Sequence, residues 1–353
     1  MLDASVNMPS AMQAILVVWL AVAVERAVPI STSIDPLSFF RFVCQRMANK
    51  VLKTKYRGQQ ANISGGLALI VLVLPTAVIV YLIREFASYQ WLLDVLLLWV
   101  LLQYNGHVKN AASSIQALAQ DKKQLAKNLM QLSLLRQTAP LSPLGLHKAA
   151  LECIFLRYNH QVITILFWYL LAGPVAALVY RLSYEASQIW STKLPAFADF
   201  GRLSTFVCDI FRFIPTLFTS LSMMLFSHPA HAMAWLVSKQ FWFYVLFQQR
   251  FALLQALACS LQITSSGPVM YEDNKRRYPR LLPSPHATSS IAQSKSAKRG
   301  AQTNNHEAQT NNHAAQTNSL EPNAEHLKRL ISLSNRHLII SLVVVSSLVF
   351  WIS

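Results

Sequence analysis

The chain alternates between long apolar runs and shorter polar stretches. Two of these runs, Gly65–Ile83 and Val162–Tyr180, contain no charged residue. A helix needs about 20 mostly apolar residues to cross roughly 30 Å of hydrocarbon, so both runs predict membrane spans. Pro75 lies inside the first run and is compatible with a span, because neighbouring groups in a helix bundle can satisfy the freed backbone atoms.

Other apolar runs predict further spans, although they are shorter or contain polar residues. These runs are Met12–Val24, Trp91–Tyr104, Phe206–Phe226 and Leu338–Ile352, the last of them a terminal anchor. Gln248, Gln249 and Arg250 interrupt Phe241–Ile263, which is either a span or an interfacial helix. The pattern therefore predicts an all-α fold, a polytopic integral membrane protein with about five to six spans.

A charged pair stands inside one of these predicted spans. Asp209 and Arg212 are three residues apart in Phe206–Phe226, which places them on one helical face. Charged residues within a membrane segment are expensive and often functional. The pair is either part of a functional site or a simple mutual pairing, and the sequence leaves both readings open.

Two segments outside the spans differ in character. Residues 105–156 carry apolar positions at helical spacing, which predicts a pair of amphipathic cytoplasmic helices, the second beginning near Pro143. Residues 284–325 repeat the string AQTNNH and lack apolar heptad positions, so we expect a disordered tether there. We therefore divide the chain into a membrane domain at 1–283, a linker at 284–325 and a C-terminal anchor at 326–353.

Composition agrees with a membrane protein and assigns a side to the loops. Hydrophobic residues make up 53% of the 353 residues and charged residues 13%, with a formal net charge of +16, which excludes an ordinary soluble surface. The basic excess flanks the spans: Arg41–Gly58 contains six basic residues and no acid, and 109–157 is also rich in lysine and arginine. By the positive-inside rule both segments face the cytoplasm. Nucleic acid is not expected as a partner, because these charges lack interleaved aromatic residues.

The N-terminus and the cysteines exclude two further features. The first residues lack the basic region and cleavage site of a signal peptide, so we expect Met12–Val24 to be retained. Four cysteines are widely separated, without the spacing of a zinc site or a disulfide framework. We interpret them as buried thiols.

An ordered set of short strings resembles the CobD/CbiB family of cobalamin-biosynthesis membrane proteins, the cobinamide synthases. The strongest is Lys148–Glu152 (KAALE), followed by an apolar LFWY run, Gly173-Pro174 and Tyr180-Arg181. Additional matches, in the family's order, are Asp35-Pro36, Arg136-x-Thr138, Phe200-Gly201-Arg202, Pro215 and Ser266-Gly267-Pro268-x-x-Tyr271. The set covers about residues 12 to 280 and is specific as an ordered whole.

Several family positions are replaced in this chain. The polar motif after the glutamate normally supplies Asn and Asp, and the aligned positions are Arg157 and His160. Cys208-Asp209 stands for an Asp-Asp pair, Asp35-Pro36 for His-Pro, and Ser183–Ala186 for Asn-Thr-Leu-Asp. About half of the family's polar positions are thus changed.

The resemblance implies a multi-pass protein of the cell inner membrane that binds ATP and Mg²⁺. The implied reaction is a carbon–nitrogen ligation that joins aminopropanol or its phosphate to adenosylcobyric acid, so the corrinoid, the amino alcohol and the lipid bilayer are expected partners, together with other membrane proteins of the cobalamin pathway. Because half of the polar positions differ, a non-catalytic AmpE-like regulatory or sensor protein of the same ancestry is the alternative. A transporter is less favoured, since no inverted repeat of broken spans is present.

The chemistry of this reaction selects the candidate residues. Activating a carboxylate with ATP requires a cation site and basic side chains for the phosphates. The expected catalytic residues are Glu152, Asp209 and His160; the cofactor-binding residues are Lys148, Arg136, Arg181 and Arg202; the metal ligands are Glu152 and Asp121.

Overall fold

The computed structural model describes residues 10–30, 35–52, 58–267, 269–271, 274–276, 278–283 and 321–352. The described chain forms two compact units. The first comprises residues within 1–107, 158–215 and 338–353, and the second comprises residues within 108–157 and 216–337. The predicted tether at 284–325, with His306 and His313, lies almost wholly outside the described residues.

Helices dominate both units. The helices are α1 Ser10–Ala27, α2 Leu37–Val51, α3 Gln59–Glu85, α4 Gln90–Leu102, α5 Tyr104–Ala119, α6 Lys123–Gln131, α7 Pro143–Tyr158, α8 Thr164–Ile189, α9 Arg202–Ser227, α10 Pro229–Val237, α11 Lys239–Phe247, α12 Gln249–Leu261 and α13 Ala324–Ile352. A π-helical turn at Asn159–Ile163 joins α7 to α8, and Pro195–Phe197 forms a short 3₁₀ turn.

The predicted all-α membrane fold is confirmed. Five helical stretches in the described chain are long and apolar enough to cross a bilayer: Gln59–Glu85, Gln90–Ala119, Pro143–Ile189, Arg202–Ser227 and Ala324–Trp351. Many of their large apolar side chains are exposed; Leu67, Ile70 and Leu74 on α3, for example, are more than half exposed. Such a surface suits lipid and not water.

A small hairpin departs from the helical pattern in the second unit. Strands β1, Val269–Tyr271, and β2, Asn274–Arg276, pair antiparallel with Val269 opposite Arg276. Beyond it, Ser265 and Leu281 exchange two backbone hydrogen bonds, of 3.1 and 2.9 Å. These pairings connect the described residues that follow α12.

In the first unit, α8 is the central element: α2, α3 and α4 pack against it, and α1 packs against α4. Small residues allow the closest approaches. A Cβ on Gly65 of α3 would lie 2.0 Å from the carbonyl oxygen of Phe200, so only glycine fits there. The fully buried Trp190 donates from its Nε1 to the carbonyl oxygen of Cys44 on α2 at 3.1 Å. This bond fixes α2 against the end of α8.

In the second unit, α12 is the most deeply buried helix, with every residue from Phe251 to Leu261 buried. α11 packs against it. Elsewhere in the unit, the Ser114 hydroxyl on α5 donates to the carbonyl oxygen of Ala126 on α6 at 2.7 Å. The second amphipathic helix begins at Pro143, as the sequence predicts.

Three boundaries differ from the sequence expectations. Phe241–Ile263 is broken at Gln248 into helices of 9 and 13 residues, each too short to cross a bilayer. The predicted span Val162–Tyr180 is followed by further helix, because α8 continues as far as Ile189. The first amphipathic helix divides into α5 and α6 around Asp121, whose φ of +59° is left-handed and ends the helix.

Candidate functional site

A buried carboxylate in the second unit is surrounded by cations. Glu152 on α7 is 3% exposed. Its Oε2 lies 3.6 Å from Nη2 of Arg136, and its Oε1 accepts a hydrogen bond of 2.8 Å from the backbone N–H of Ser266. Lys148 precedes Glu152 by four residues on the same helix, which places the two side chains on one face.

A third basic residue joins this group through the loop after α12. A Cβ built on Gly267 would lie 3.6 Å from Nζ of Lys148 and 4.0 Å from Cγ of Arg280. Gly267 therefore sits between the two cationic side chains, and its φ of +129° lies in the region that favours glycine. We call Arg136, Lys148, Glu152 and Arg280 the Glu152 cluster. It holds three positive charges and one negative charge, which suits an anionic ligand such as a phosphate.

Local structure explains why Arg136 is available for this cluster. It lies in the loop between α6 and α7, and that loop is fixed two residues later by Thr138. The backbone N–H of Thr138 donates to Oε1 of Gln131 at 3.0 Å, and its hydroxyl donates to the carbonyl oxygen of Lys127 at 3.1 Å. The Arg136-x-Thr138 string thus places one residue at the carboxylate and anchors the other.

A second group of charges, in the first unit, forms a closed ring. Arg41 on α2 lies 2.6 Å from both Asp35 Oδ2 and Glu185 Oε2, and Oε1 of Glu185 lies 2.9 Å from Nη2 of Arg181. Arg181 donates to Oε1 of Gln103 at 3.4 Å, and Nε2 of Gln103 donates to Oδ1 of Asp35 at 2.7 Å. The formal charges of this five-membered ring sum to zero. We call it the Arg181 ring.

A third polar group surrounds the π-helical turn of the first unit. Nη1 of Arg212 lies 3.4 Å from Nε2 of His160, and Arg212 also forms an ion pair with Asp209. Tyr180 donates from its hydroxyl to the carbonyl oxygen of His160 at 2.9 Å. π-helical turns inside helices are frequent at functional sites, so this group is a second candidate for contact with a substrate.

The structure brings some of the expected residues together. Glu152, Lys148 and Arg136 share one cluster, and His160 and Asp209 share Arg212 as a partner. Arg181 is fully buried in its ring. Arg202 is exposed at the first residue of α9. Asp121 is also exposed, 3.2 Å from Nζ of Lys123, and so does not share the buried surroundings of Glu152.

Sequence reasoning missed other members of these groups. Ser266, Arg280, Gln103 and Arg41 were not among the expected site residues, and Asp35 was noted only as a replaced family position. The spacing of Arg181 and Glu185, four residues apart, is the one signal that could have found part of the ring. The other contacts join residues far apart in sequence, for which a single chain offers no local pattern.

Comparison with known proteins identifies relatives for most of the chain. A family model described as CobD/Cbib protein matches residues 18–297. A cobalamin biosynthesis protein CobD from Stutzerimonas stutzeri is 24% identical over 208 residues, covering 59% of this chain and 68% of the relative. A protein of the same name from Chromobacterium violaceum is 24% identical over 169 residues, covering 48% of this chain and only 54% of the relative. No solved structure matches.

Proposed function

Because the chain belongs to the CobD/Cbib protein family, we propose that it acts in cobalamin biosynthesis at the cell inner membrane. The names of its relatives give the pathway. Within it, we propose the ligation that the family resemblance implies. Aminopropanol or its phosphate is joined through its amine to a propionate carboxyl group of adenosylcobyric acid, at the expense of ATP.

The Glu152 cluster is the observation that carries this proposal. The reaction needs a place for a triphosphate or a phosphorylated amino alcohol, and phosphate oxygens are bound best by arginine and lysine donors. Arg136 and Lys148 flank the buried carboxylate of Glu152, and Arg280 extends the same positive surface. In the proposal, these three cations bind the phosphates, and Glu152 holds Arg136 and the Ser266 loop in position.

The residues fit the phosphates of ATP better than they fit a protein-bound Mg²⁺. Both carboxylate oxygens of Glu152 are engaged, one by Arg136 and one by the Ser266 N–H. In the part of the chain that the structure describes, no group of three acidic, histidine or cysteine side chains could hold a metal ion. Magnesium in nucleotide sites commonly uses few protein ligands and several phosphate oxygens and waters, so we assign it to the nucleotide.

His160 and Asp209 complete the proposed assignments. Their shared partner Arg212 gives the first unit a polar group that includes a neutral or cationic imidazole and a carboxylate. Forming an amide from an ammonium requires removal of a proton from the amine, and either group is chemically able to accept it. We assign this role to His160, with Asp209 and Arg212 fixing its surroundings.

One observation favours the second candidate, an AmpE-like regulatory membrane protein. Two positions where the family pattern carries other residues, Asp35 and the string around Glu185, here belong to the Arg181 ring, whose charges pair with one another. A ring of internal pairs is the arrangement expected where substrate contacts have been lost and the structure retained.

Growth complementation tests the ligase proposal. In a bacterial host that lacks its own cobinamide synthase, we expect the gene to restore cobalamin-dependent growth from cobyric acid. Feeding cobinamide should restore growth in every strain, as the control for later steps. No rescue from cobyric acid, despite protein detected in the membrane fraction, contradicts the ligase and favours the regulator.

Two variants connect this test to the cluster. Glu152→Gln should abolish rescue, because the carboxylate that positions Arg136 is lost. The control variant is Glu325→Gln, which removes an exposed carboxylate near the start of α13. This carboxylate lies 4.0 Å from the exposed Arg329, at the limit of an ion pair, so the variant should rescue fully. Rescue by Glu152→Gln at the wild-type level would refute the assignment of this site.

A further inference from the structure

Helix α2 has one face fixed in the protein and the opposite face exposed. Leu37, Cys44 and Ala48 are buried, and the Trp190 hydrogen bond to Cys44 holds this face in place. Helix α2 packs against α8 and α3. The exposed face therefore belongs to a rigidly mounted helix.

The exposed face combines two aromatic rings with two cations. Phe39 is 74% exposed and Phe42 54%, and Arg46 and Lys50 are also exposed. Their spacings of three and four residues place all four in one stripe. The guanidinium of Arg46 lies 5.1 Å from the ring centroid of Phe42, a cation–π distance. Helix α2 contains no acidic residue, so all the charges on the stripe are positive.

The position of α2 in the chain brings it close to the bilayer. Its 15 residues are too few to span hydrocarbon. Only Leu52–Gly58, seven residues, separates it from α3, so its end lies less than about 30 Å from the start of a membrane-spanning helix. Helices of this kind, with Phe or Leu and basic side chains together, bind at the lipid–water interface.

We propose that the exposed face of α2 is a binding surface for anionic phospholipids. Arg46 and Lys50 bind the headgroup phosphates, while Phe39 and Phe42 insert at the boundary of the acyl chains. The positive charge of the stripe selects an anionic partner, and the two exposed phenyl rings select one with an apolar layer beneath its charges, which a free phosphate or an acidic soluble protein does not offer. This proposal does not depend on the proposed function.

Fluorescence quenching in nanodiscs tests this surface with the full-length protein. The native cysteines are all buried, so a cysteine introduced at the exposed Asn49, beside the stripe, takes a fluorophore selectively. The nanodiscs consist mainly of unlabelled phosphatidylcholine. They also contain a small fraction of one lipid that carries a quencher on its acyl chain, which is phosphatidylglycerol in one preparation and phosphatidylcholine in the other. We expect quenching by the anionic lipid to exceed that by the zwitterionic lipid, with the preference falling about fivefold for each cation removed.

Paired variants separate charge from insertion. Arg46→Gln/Lys50→Gln should abolish the preference for phosphatidylglycerol, whereas Lys122→Gln/Lys123→Gln, which removes two exposed lysines outside α2, should retain it. Phe39→Ser/Phe42→Ser should reduce quenching by both lipids. Equal quenching by the two lipids in the parent protein would overturn the proposal, as would an undiminished preference in Arg46→Gln/Lys50→Gln or unchanged quenching in Phe39→Ser/Phe42→Ser.

Discussion

Glu152 is held in place by partners that come from two separate parts of the chain. Arg136 approaches from the loop before α7, and Ser266 from the loop after α12. Both charged side chains are nearly buried, at 10% exposed for Arg136 and 5% for Glu152. The loss of Glu152 removes the only acidic member of the cluster, and the loss of Arg136 leaves Lys148 as the cation that interacts with Glu152. Breaking such a pair costs about 3–5 kcal/mol.

A double-mutant cycle on this pair measures the coupling. We expect Arg136→Gln and Glu152→Gln each to lower the free energy of unfolding by about 3 kcal/mol, and the double variant to lose less than the sum. The difference should be about 1–3 kcal/mol, measured by denaturation of the protein in mild detergent. Strict additivity would show that the two side chains do not depend on each other.

Cys44 shows how burial sets the reactivity of one thiol. It is fully buried, and burial together with the nearby Glu185 carboxylate raises the pKa of its thiol to about 12. The folded state therefore keeps the thiol protonated, while the unfolded chain ionises near the ordinary thiol pKa of about 8.5. Stability is fully present below that pH and is lost progressively as the pH rises towards 12.

This linkage gives a measurable pH dependence. Between pH 8 and pH 10 the wild-type protein should lose on the order of 1–2 kcal/mol more stability than Cys44→Ala, which has no thiol to ionise. Melting curves of the two proteins at both pH values measure the difference. Parallel loss in both would mean that Cys44 does not titrate differently on unfolding.

At the scale of elements, the Arg181 ring fixes the joint between α4 and α5. Gln103 lies at this joint with φ of +36°, a left-handed conformation that ends α4. The side-chain amide of Gln103 donates a hydrogen bond to Asp35 and accepts one from Arg181. The residue at which the chain turns therefore also closes the ring.

Gln103→Leu should therefore open the ring and destabilise the first unit. The expected loss is about 1–3 kcal/mol, since buried polar partners are left unsatisfied. Gln262→Leu is the matched control, because Gln262 also has a positive φ, of 55°, while its side-chain amide donates to a neighbour in sequence, the carbonyl oxygen of Cys259, at 2.7 Å. Thermal melting of both variants gives the comparison; equal losses would assign the effect to backbone conformation alone.

The apolar runs made most helices predictable, whereas their breaks were not. Gly65–Ile83 lies inside α3, and Val162–Tyr180 is helical on both sides of a kink at Gly173, whose φ is +82°. Long uncharged runs favour helices in lipid, because the backbone must satisfy its own hydrogen bonds there. The breaks at Gln103, Asp121 and Gln248 fall on residues with no strong helix-ending preference. Tertiary contacts decide them: Gln103, for example, turns where Asp35 and Arg181 can both be reached.

At the scale of the whole molecule, only part of the site could be predicted from the sequence. Lys148 and Glu152 share a helical face and could be paired from their spacing alone. The resemblance to a family added Arg136 and the Ser-Gly-Pro string. The link between Ser266 and Glu152 spans 114 residues, and it arises from the loop geometry that Ser265 and Leu281 impose, which no local pattern encodes.

The distribution of lysine and arginine along the chain predicts which side of the bilayer each loop faces. Arg41–Gly58 and 109–157 are both basic and are predicted to face the cytoplasm. α3 is 27 residues long, enough to cross the bilayer once. The short turn between α3 and α4, which contains the exposed Ser88, should therefore lie on the opposite face.

Accessibility of introduced cysteines tests this orientation, because the four native thiols are buried. In intact cells a membrane-impermeant maleimide should label Ser88→Cys but not Gln45→Cys or Lys122→Cys. In inside-out vesicles the pattern should reverse, since the exposed faces of α2 and of the loop before α6 then meet the reagent. Labelling of Gln45→Cys and Ser88→Cys from the same side would mean that α3 does not cross the membrane. Labelling of Lys122→Cys from outside would place the basic segment 109–157, which carries Arg136, Lys148 and Glu152, outside the compartment that supplies ATP, and would contradict the ligase proposal.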